Sequence, residues 1–207
     1  YRSRHESLIA FSNFTYYGGN LVTFPSPVTH DTSVIFRHVR GVYDRGASKT
    51  NRAEAEAIVA EIEKHYLDEV RRGKSVGVVT FNQPQMTLIQ TLLDARRAAN
   101  STLDGVLAEI ANEELFIKNL ENVQGDERDF IFFSVTYGPD LADKVTMNMG
   151  PLGKEGGHRR LNVAISRARE QVMIFSTMLP EQIDPARARG QGIGDLKAYL
   201  DFARRGK

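Results

Sequence analysis

The sequence contains no cysteine. That excludes a disulfide framework, a thiolate metal site and a cysteine nucleophile, and it is compatible with a reducing interior, so a cytoplasmic address is expected. Charge of one sign is also missing, because Lys+Arg 27 against Asp+Glu 26 leaves a formal net charge of only +1. A basic surface must then come from local clustering. No apolar run approaches the roughly 18 residues of a membrane span, and the start, YRSRHESLIAF, lacks a signal-peptide layout. No membrane partner is expected. The first residue is Tyr1 rather than Met, which suggests a piece of something longer.

What is present is a chain of 207 residues, 41% hydrophobic, enough for a sizeable core and read here as one domain spanning residues 1–207. Short apolar runs at Val34–Val39, Val76–Phe81, Leu115–Leu120, Phe130–Val135 and Val172–Ser176 read as strands buried on both faces. Helical patterns fall at Glu6–Tyr16, 51–72, Pro84–Ala98, Leu103–Glu109, Arg160–Arg169 and Ile193–Arg204, the second opened by an expected capping box of Asn51 and Glu54. Alternation of this kind implies an α/β fold, a mainly parallel sheet with helices on both faces. Ligands of such sheets gather beyond the carboxyl ends of the strands. Residues 137–158 are long, Gly-rich and aperiodic, as functional or mobile loops are. Residues 18–33 read as a plain surface connection.

GVYDRGASKT (41–50) approaches a phosphate-binding loop but fails, because Ala47 and Ser48 follow Gly46 and displace Lys49 by two positions from G-x-x-x-x-G-K-[ST]. HRRLNVAISRARE (158–170) puts four arginines into thirteen positions. Read as a helix at 100° per residue, it places Leu161, Ile165 and Ala168 on the core stripe and Arg160 within about 20° of Arg167, with Arg159, Asn162, Ser166 and Arg169 on the remaining polar side. A solvated basic face is the ordinary meaning of such a run. Rigidly held guanidinium groups also suit phosphate, since the planar fork matches two oxygens and keeps its charge. ENVQGDERDFIFFSV (121–135) joins two strands through a tight turn at Gln124-Gly125, with Glu127 and Asp129 against the next strand. Glu127 can accept ribose hydroxyls there, and Asp129 can orient neighbouring arginines.

These stretches carry a resemblance. RRLNVAISRARE resembles motif VI of superfamily 1 helicases of the Upf1-like group, NVQGDERDFIFFSV resembles their motif V, YRSRHESLIAFSN the segment that opens their second motor domain, and SVGVVTFNQPQMTLIQTLLD (75–94) their motif IV. Order and spacing agree over nearly the whole chain. The resemblance implies a RecA-like P-loop NTPase fold and the second motor domain of an ATP-dependent DNA helicase or translocase, of a bacterial type often joined to a nuclease-like domain. It implies that Tyr1 stacks on adenine, that Arg2 and Arg167 contact the γ-phosphate, that Glu127 holds the ribose, and that Gln124, Gly125 and Arg160 belong to the nucleotide site. Single-stranded or partly duplex DNA is expected to cross near Thr80, Phe81, Asn82 and Asn122. The lead-in Leu120-Glu121-Asn122-Val123 departs from the family's Thr/Ser-Val-Asp-x-Phe, which bears on that track. ATP with Mg²⁺ is the implied cofactor, the metal ligands lying on a first motor domain that is also the implied partner. The sequence holds no G-x-x-x-x-G-K-[ST], and the resemblance places that loop and the acidic Mg²⁺ motif on the first motor domain, so the chain alone is expected to be inactive. Other readings are an RNA helicase of the same superfamily, a non-catalytic RecA-like nucleic-acid-binding module, and a nuclease built on Pro139-Asp140 and Asp195-x-Lys197. Five histidines without paired helical spacing disfavour a metal hydrolase.

Overall fold

The computed structural model describes residues 5–22, 33–110 and 113–205. Tyr1 and Arg2 lie outside them, as does most of the connection 18–33. Five strands, β1 (Val34–His38), β2 (Val76–Thr80), β3 (Phe116–Asn119), β4 (Arg128–Ser134) and β5 (Ala168–Ser176), form one sheet in the order β1-β5-β4-β2-β3. Every pairing is parallel. β2 is buried throughout and β4 almost so, as their unbroken apolar sequences require.

Among the described residues six α-helices cover the two faces. α1 (Glu6–Tyr17), α5 (Gly157–Ile165) and α6 (Gly192–Arg205) pack on one side, where Val79, Ile131, Phe133, Val172 and Ile174 meet Leu8, Leu161, Ile165 and Leu196. α2 (Arg52–Leu67), α3 (Gln83–Ala99) and α4 (Ser101–Glu109) pack on the other, where Val76, Val78, Phe132 and Phe175 meet Ile58, Ile62, Ile89 and Leu103. The alternation along each strand sends odd and even residues to opposite layers. Asparagines punctuate the second layer: Asn51, Asn82 and Asn100 each cap the helix that follows by accepting from the amide three residues on. No helix among the described residues is long and apolar enough to cross a membrane.

Three expectations are corrected. The stretch 160–169 is not one helix. α5 begins earlier and ends at Ile165, where Ser166 Oγ (2.9 Å) and Arg167 Nε (2.8 Å) both donate to the Val163 carbonyl and replace the missing helical donors. Ala168 then pairs with Arg128, so Arg169 stands on β5. The Gly-rich stretch 137–158 is packed rather than loose: Met149 and Leu152 are fully buried, and Gly150–Gly153 forms a 3-10 turn. Finally, Gln124-Gly125 does form a turn, but β3 and β4 are not neighbours, since β2 lies between them. Residues 120–127 therefore run back across the sheet from the carboxyl end of β3 to the amino end of β4, burying Leu120 and Val123 in the first layer.

α5 and α6 start against a single carbonyl. A Cβ at Gly157 would sit 2.0 Å from Leu152 O, and one at Gly192 would sit 2.6 Å from the same atom. Gly157→Ala would ordinarily help a helix by about 1 kcal/mol. Here the backbone clash is expected to reverse the sign, with a net loss of about 2 kcal/mol, and a melting temperature at or above wild type would refute that packing.

Candidate nucleotide and nucleic-acid faces

The amino end of the sheet collects the charged residues of two motifs. Arg169 faces three carboxylates: it ion-pairs with Glu113 through two guanidinium nitrogens, lies 3.4 Å from Asp129 and lies 3.8 Å from Glu127. Arg169 holds Glu113 down to about 2, well below the usual carboxylate range. Asp129 in turn accepts the Ser75 amide at 3.0 Å. Glu113 gave no signal in the sequence beyond an acidic run before a strand. Glu127 is half-buried and engaged with Arg169, so a ribose would have to share its carboxylate.

The other arginines of the stretch are differently placed. Arg167 donates to the Val163 carbonyl and to Ser166 Oγ (3.2 Å), and Arg160 donates to the carbonyls of Glu155 (3.0 Å) and Pro151 (3.4 Å). Among the described residues neither has a carboxylate within 4.0 Å, so both guanidiniums keep an uncompensated charge. With Arg167 beyond the helix end, its expected alignment with Arg160 on one helical face does not hold. Each holds carbonyls of its own, and no contact joins them. Gln124 and Gly125 are exposed, and Gly125 has φ +90, a conformation that favours glycine.

The carboxyl end is built around a carboxylate that the sequence analysis assigned to a cap. Glu54 is fully buried and accepts Ser134 Oγ (2.7 Å), the Thr136 amide (2.7 Å) and the Thr177 amide (2.8 Å). The Asn51 amide that a capping box would give to Glu54 goes instead to Gln85 Oε1 at 2.8 Å. Burial outweighs these donors and pushes Glu54 up to about 7. Thr136, at φ +70, is a β-branched residue in the left-handed region, held there from both sides by Glu54 and by Asn51 Nδ2 on its carbonyl (3.2 Å).

Of the residues expected to meet nucleic acid, Thr80, Asn82 and Asn122 lie at this end, opposite Arg167. Leu120 N donates to Thr80 O at 2.8 Å, which sets the 120–123 turn beside β2. Thr80 is fully buried and its hydroxyl donates to Asn82 O (2.8 Å); Asn82 caps α3 and donates to Lys49 O (2.9 Å); Asn122 is exposed. Phe81 is corrected. It is 1% exposed and packs edge-on against Phe133, so it offers no free face to a base. The loop 41–50 is closed on itself: Asp44 accepts the amides of Ala47 (3.3 Å) and Ser48 (2.8 Å), occupying donors that a phosphate would need. Among the described residues no group of three or more His, Asp or Glu is set to hold a metal ion.

A family model described as an AAA domain matches residues 1–178. The chain belongs to that family. The AAA domain is 38% identical over 204 residues to an uncharacterized ATP-dependent helicase homolog of Mycoplasma pneumoniae and 38% identical over 207 residues to an uncharacterized ATP-dependent helicase of Mycoplasma genitalium. Both matches cover 97% of this chain and 17% of the relative, so the chain spans about one-sixth of their length. The C-terminal domain of a possible DNA helicase from Lactobacillus plantarum matches 93% of this chain and 96% of its own, at 11% identity and a TM-score of 0.48.

Proposed function

We propose that this AAA domain, residues 1–207, is the second motor domain of an ATP-dependent helicase or translocase that moves on DNA. What supports the reading most directly is the sorting of arginines between the first turn of α5, which carries Arg160, and the α5 to β5 junction, which carries Arg167 and Arg169. Arg169 is paired with Glu113, Glu127 and Asp129, whereas among the described residues Arg160 and Arg167 have no carboxylate within 4.0 Å. Cations of that kind fit the polyphosphate of a nucleotide bound by another domain. Arg167 would stabilise charge spreading over the transferred phosphoryl oxygens, while Arg160 and the exposed Gln124-Gly125 turn would border the nucleotide. Tyr1 and Arg2, outside the described residues, retain the roles that the family resemblance gives them. ATP supplies the phosphoryl transfer, and Mg²⁺ would be held by the partner domain.

Steady-state ATP hydrolysis by the full-length protein, with single-stranded DNA and with RNA of matching length, tests this. DNA is expected to stimulate turnover more than RNA does. Stronger stimulation by RNA would reassign the track, and hydrolysis indifferent to both would overturn the reading.

A further inference from the structure

The carboxyl end of the sheet carries a second cationic feature that no motif covers. A cleft of ≈ 560 Å³ opens between the loop 41–50, the stretch 145–154 and the end of the 3-10 turn Pro185–Arg187 with the residues that follow it. Arg45, Lys154, Arg187 and Arg189 line it, all exposed, and no carboxylate or aromatic ring does. Among the described residues none of the four has a carboxylate within 4.0 Å. Three nearby acids hold backbone amides, although Asp140 also feels the charge of Arg45, and Glu155 adjoins Lys154. Asp44 holds the amides of Ala47 and Ser48, Asp140 those of Ala142 (2.9 Å) and Lys144 (3.0 Å), and Asp184 that of Ala186 (3.1 Å).

The fold brings these cations together deliberately, from three separated segments. Gly190, at φ +94, lies so close to the 153–154 backbone that a Cβ there would stand 3.3 Å from Gly153 O. That approach sets Arg187 and Arg189 beside Lys154. At its other side the cleft reaches Gly150, where a Cβ would stand 2.6 Å from the Tyr137 hydroxyl and 4.0 Å from Phe81 O, so the Thr80 to Asn82 turn lies behind that wall of the cleft. Arg187 and Arg189 fall beyond the residues 1–178 matched by the family model.

Exposed cations with nothing for a base to stack on recognise backbone phosphate and not sequence. We infer that this cleft holds backbone phosphates of the single strand on which the motor moves, extending the track past Asn82; the inference rests on the helicase reading above. The site is at the opposite end of the sheet from Arg167, so the nucleotide is not its ligand.

The test is binding of labelled single-stranded DNA and RNA oligonucleotides to the full-length protein across a salt series, without nucleotide. Arg187→Gln/Arg189→Gln is expected to flatten the slope of log affinity against log salt by about 1.4, the loss of two phosphate contacts on a single strand, and to weaken binding on the order of tenfold near 0.1 M salt. Arg187→Lys/Arg189→Lys should keep the slope, as should Arg204→Gln, whose side chain pairs with Glu181 elsewhere on the surface. If the Gln pair melts early, Arg45→Gln/Lys154→Gln serves in its place with the same expectation. Wild-type binding with an unchanged slope in the Gln variants overturns the cleft alone. A wild-type protein that binds neither strand overturns the helicase reading and the cleft with it.

Discussion

Arg167→Ala in the full-length protein is expected to lower nucleic-acid-stimulated ATP turnover on the order of 10³-fold, the usual cost of losing an arginine that stabilises charge on a transferred phosphoryl group. The fold should survive, because among the described residues this side chain hydrogen-bonds only to Val163 O and Ser166 Oγ, one turn of its own chain. Single-strand affinity measured without nucleotide should stay near wild type, since Arg167 stands at the amino end of the sheet and the proposed track at the carboxyl end. Arg169→Ala is unsuitable as a control. It would leave Glu113, Asp129 and Glu127 facing one another without their shared cation, and its effect would mix stability with catalysis. Arg159, exposed on α5, is the proper comparison, and Arg159→Ala should keep most of the activity. Equal, small losses in Arg167→Ala and Arg159→Ala would return the stretch to a solvated basic surface.

The largest effect on stability is expected at Glu54. Glu54→Ala strips the acceptor from Ser134 Oγ and the amides of Thr136 and Thr177 inside a fully buried site, and should cost on the order of 4 kcal/mol. It also releases the hold on the left-handed backbone of Thr136. Glu54→Gln keeps an acceptor oxygen but turns an amide group toward donors, so a smaller loss is expected. The pH dependence separates charge from shape. With its carboxyl pushed up to about 7 from an ordinary 4.5, the folded state binds the proton more tightly than the unfolded chain does. The contribution is therefore full below about 4.5 and is lost as pH rises through about 7, a decline of roughly 3 kcal/mol across the window. Denaturant unfolding of wild type and Glu54→Gln between those pH values should show the decline in the first only; parallel profiles would contradict it.

Local pattern carried the elements, and long-range pairing decided what pattern could not. The apolar runs at 76–81 and 130–135 were legible because strands covered on both faces admit almost nothing polar, and β2 and β4 match them to within two residues. The end of α5 was not legible. Its last turns are polar enough to continue a helical period through Arg169, and only the ladder between Ala168 and Arg128 breaks it. Asn51 and Glu54 at a helix start have the spacing of a capping box, but the cap cannot reveal that two separate segments, the ends of β4 and β5, will bring donors to the same carboxylate. Phe81 reads equally as a stacking ring or a core ring, and the layer it faces depends on strand order, which is not a property of neighbouring residues. The uncompensated arginines were named from sequence. Which of them lacked a carboxylate depended on Glu113, 56 residues from Arg169.

The backward run of residues 120–127 has a mechanical meaning. From Asn119, level with Thr80 and Ser134, to Arg128 the chain must descend the length of β4 and pass beneath β2. That path is about 22 Å, against a full stretch of roughly 30 Å for the peptide units available. With Leu120 and Val123 anchored in the core, little slack is left over. The segment is a short strap fixed at both ends, one beside the proposed track and one beside Glu127. A displacement of either end by more than a few ångströms must therefore pull on the other or lift Leu120 and Val123 out of the sheet.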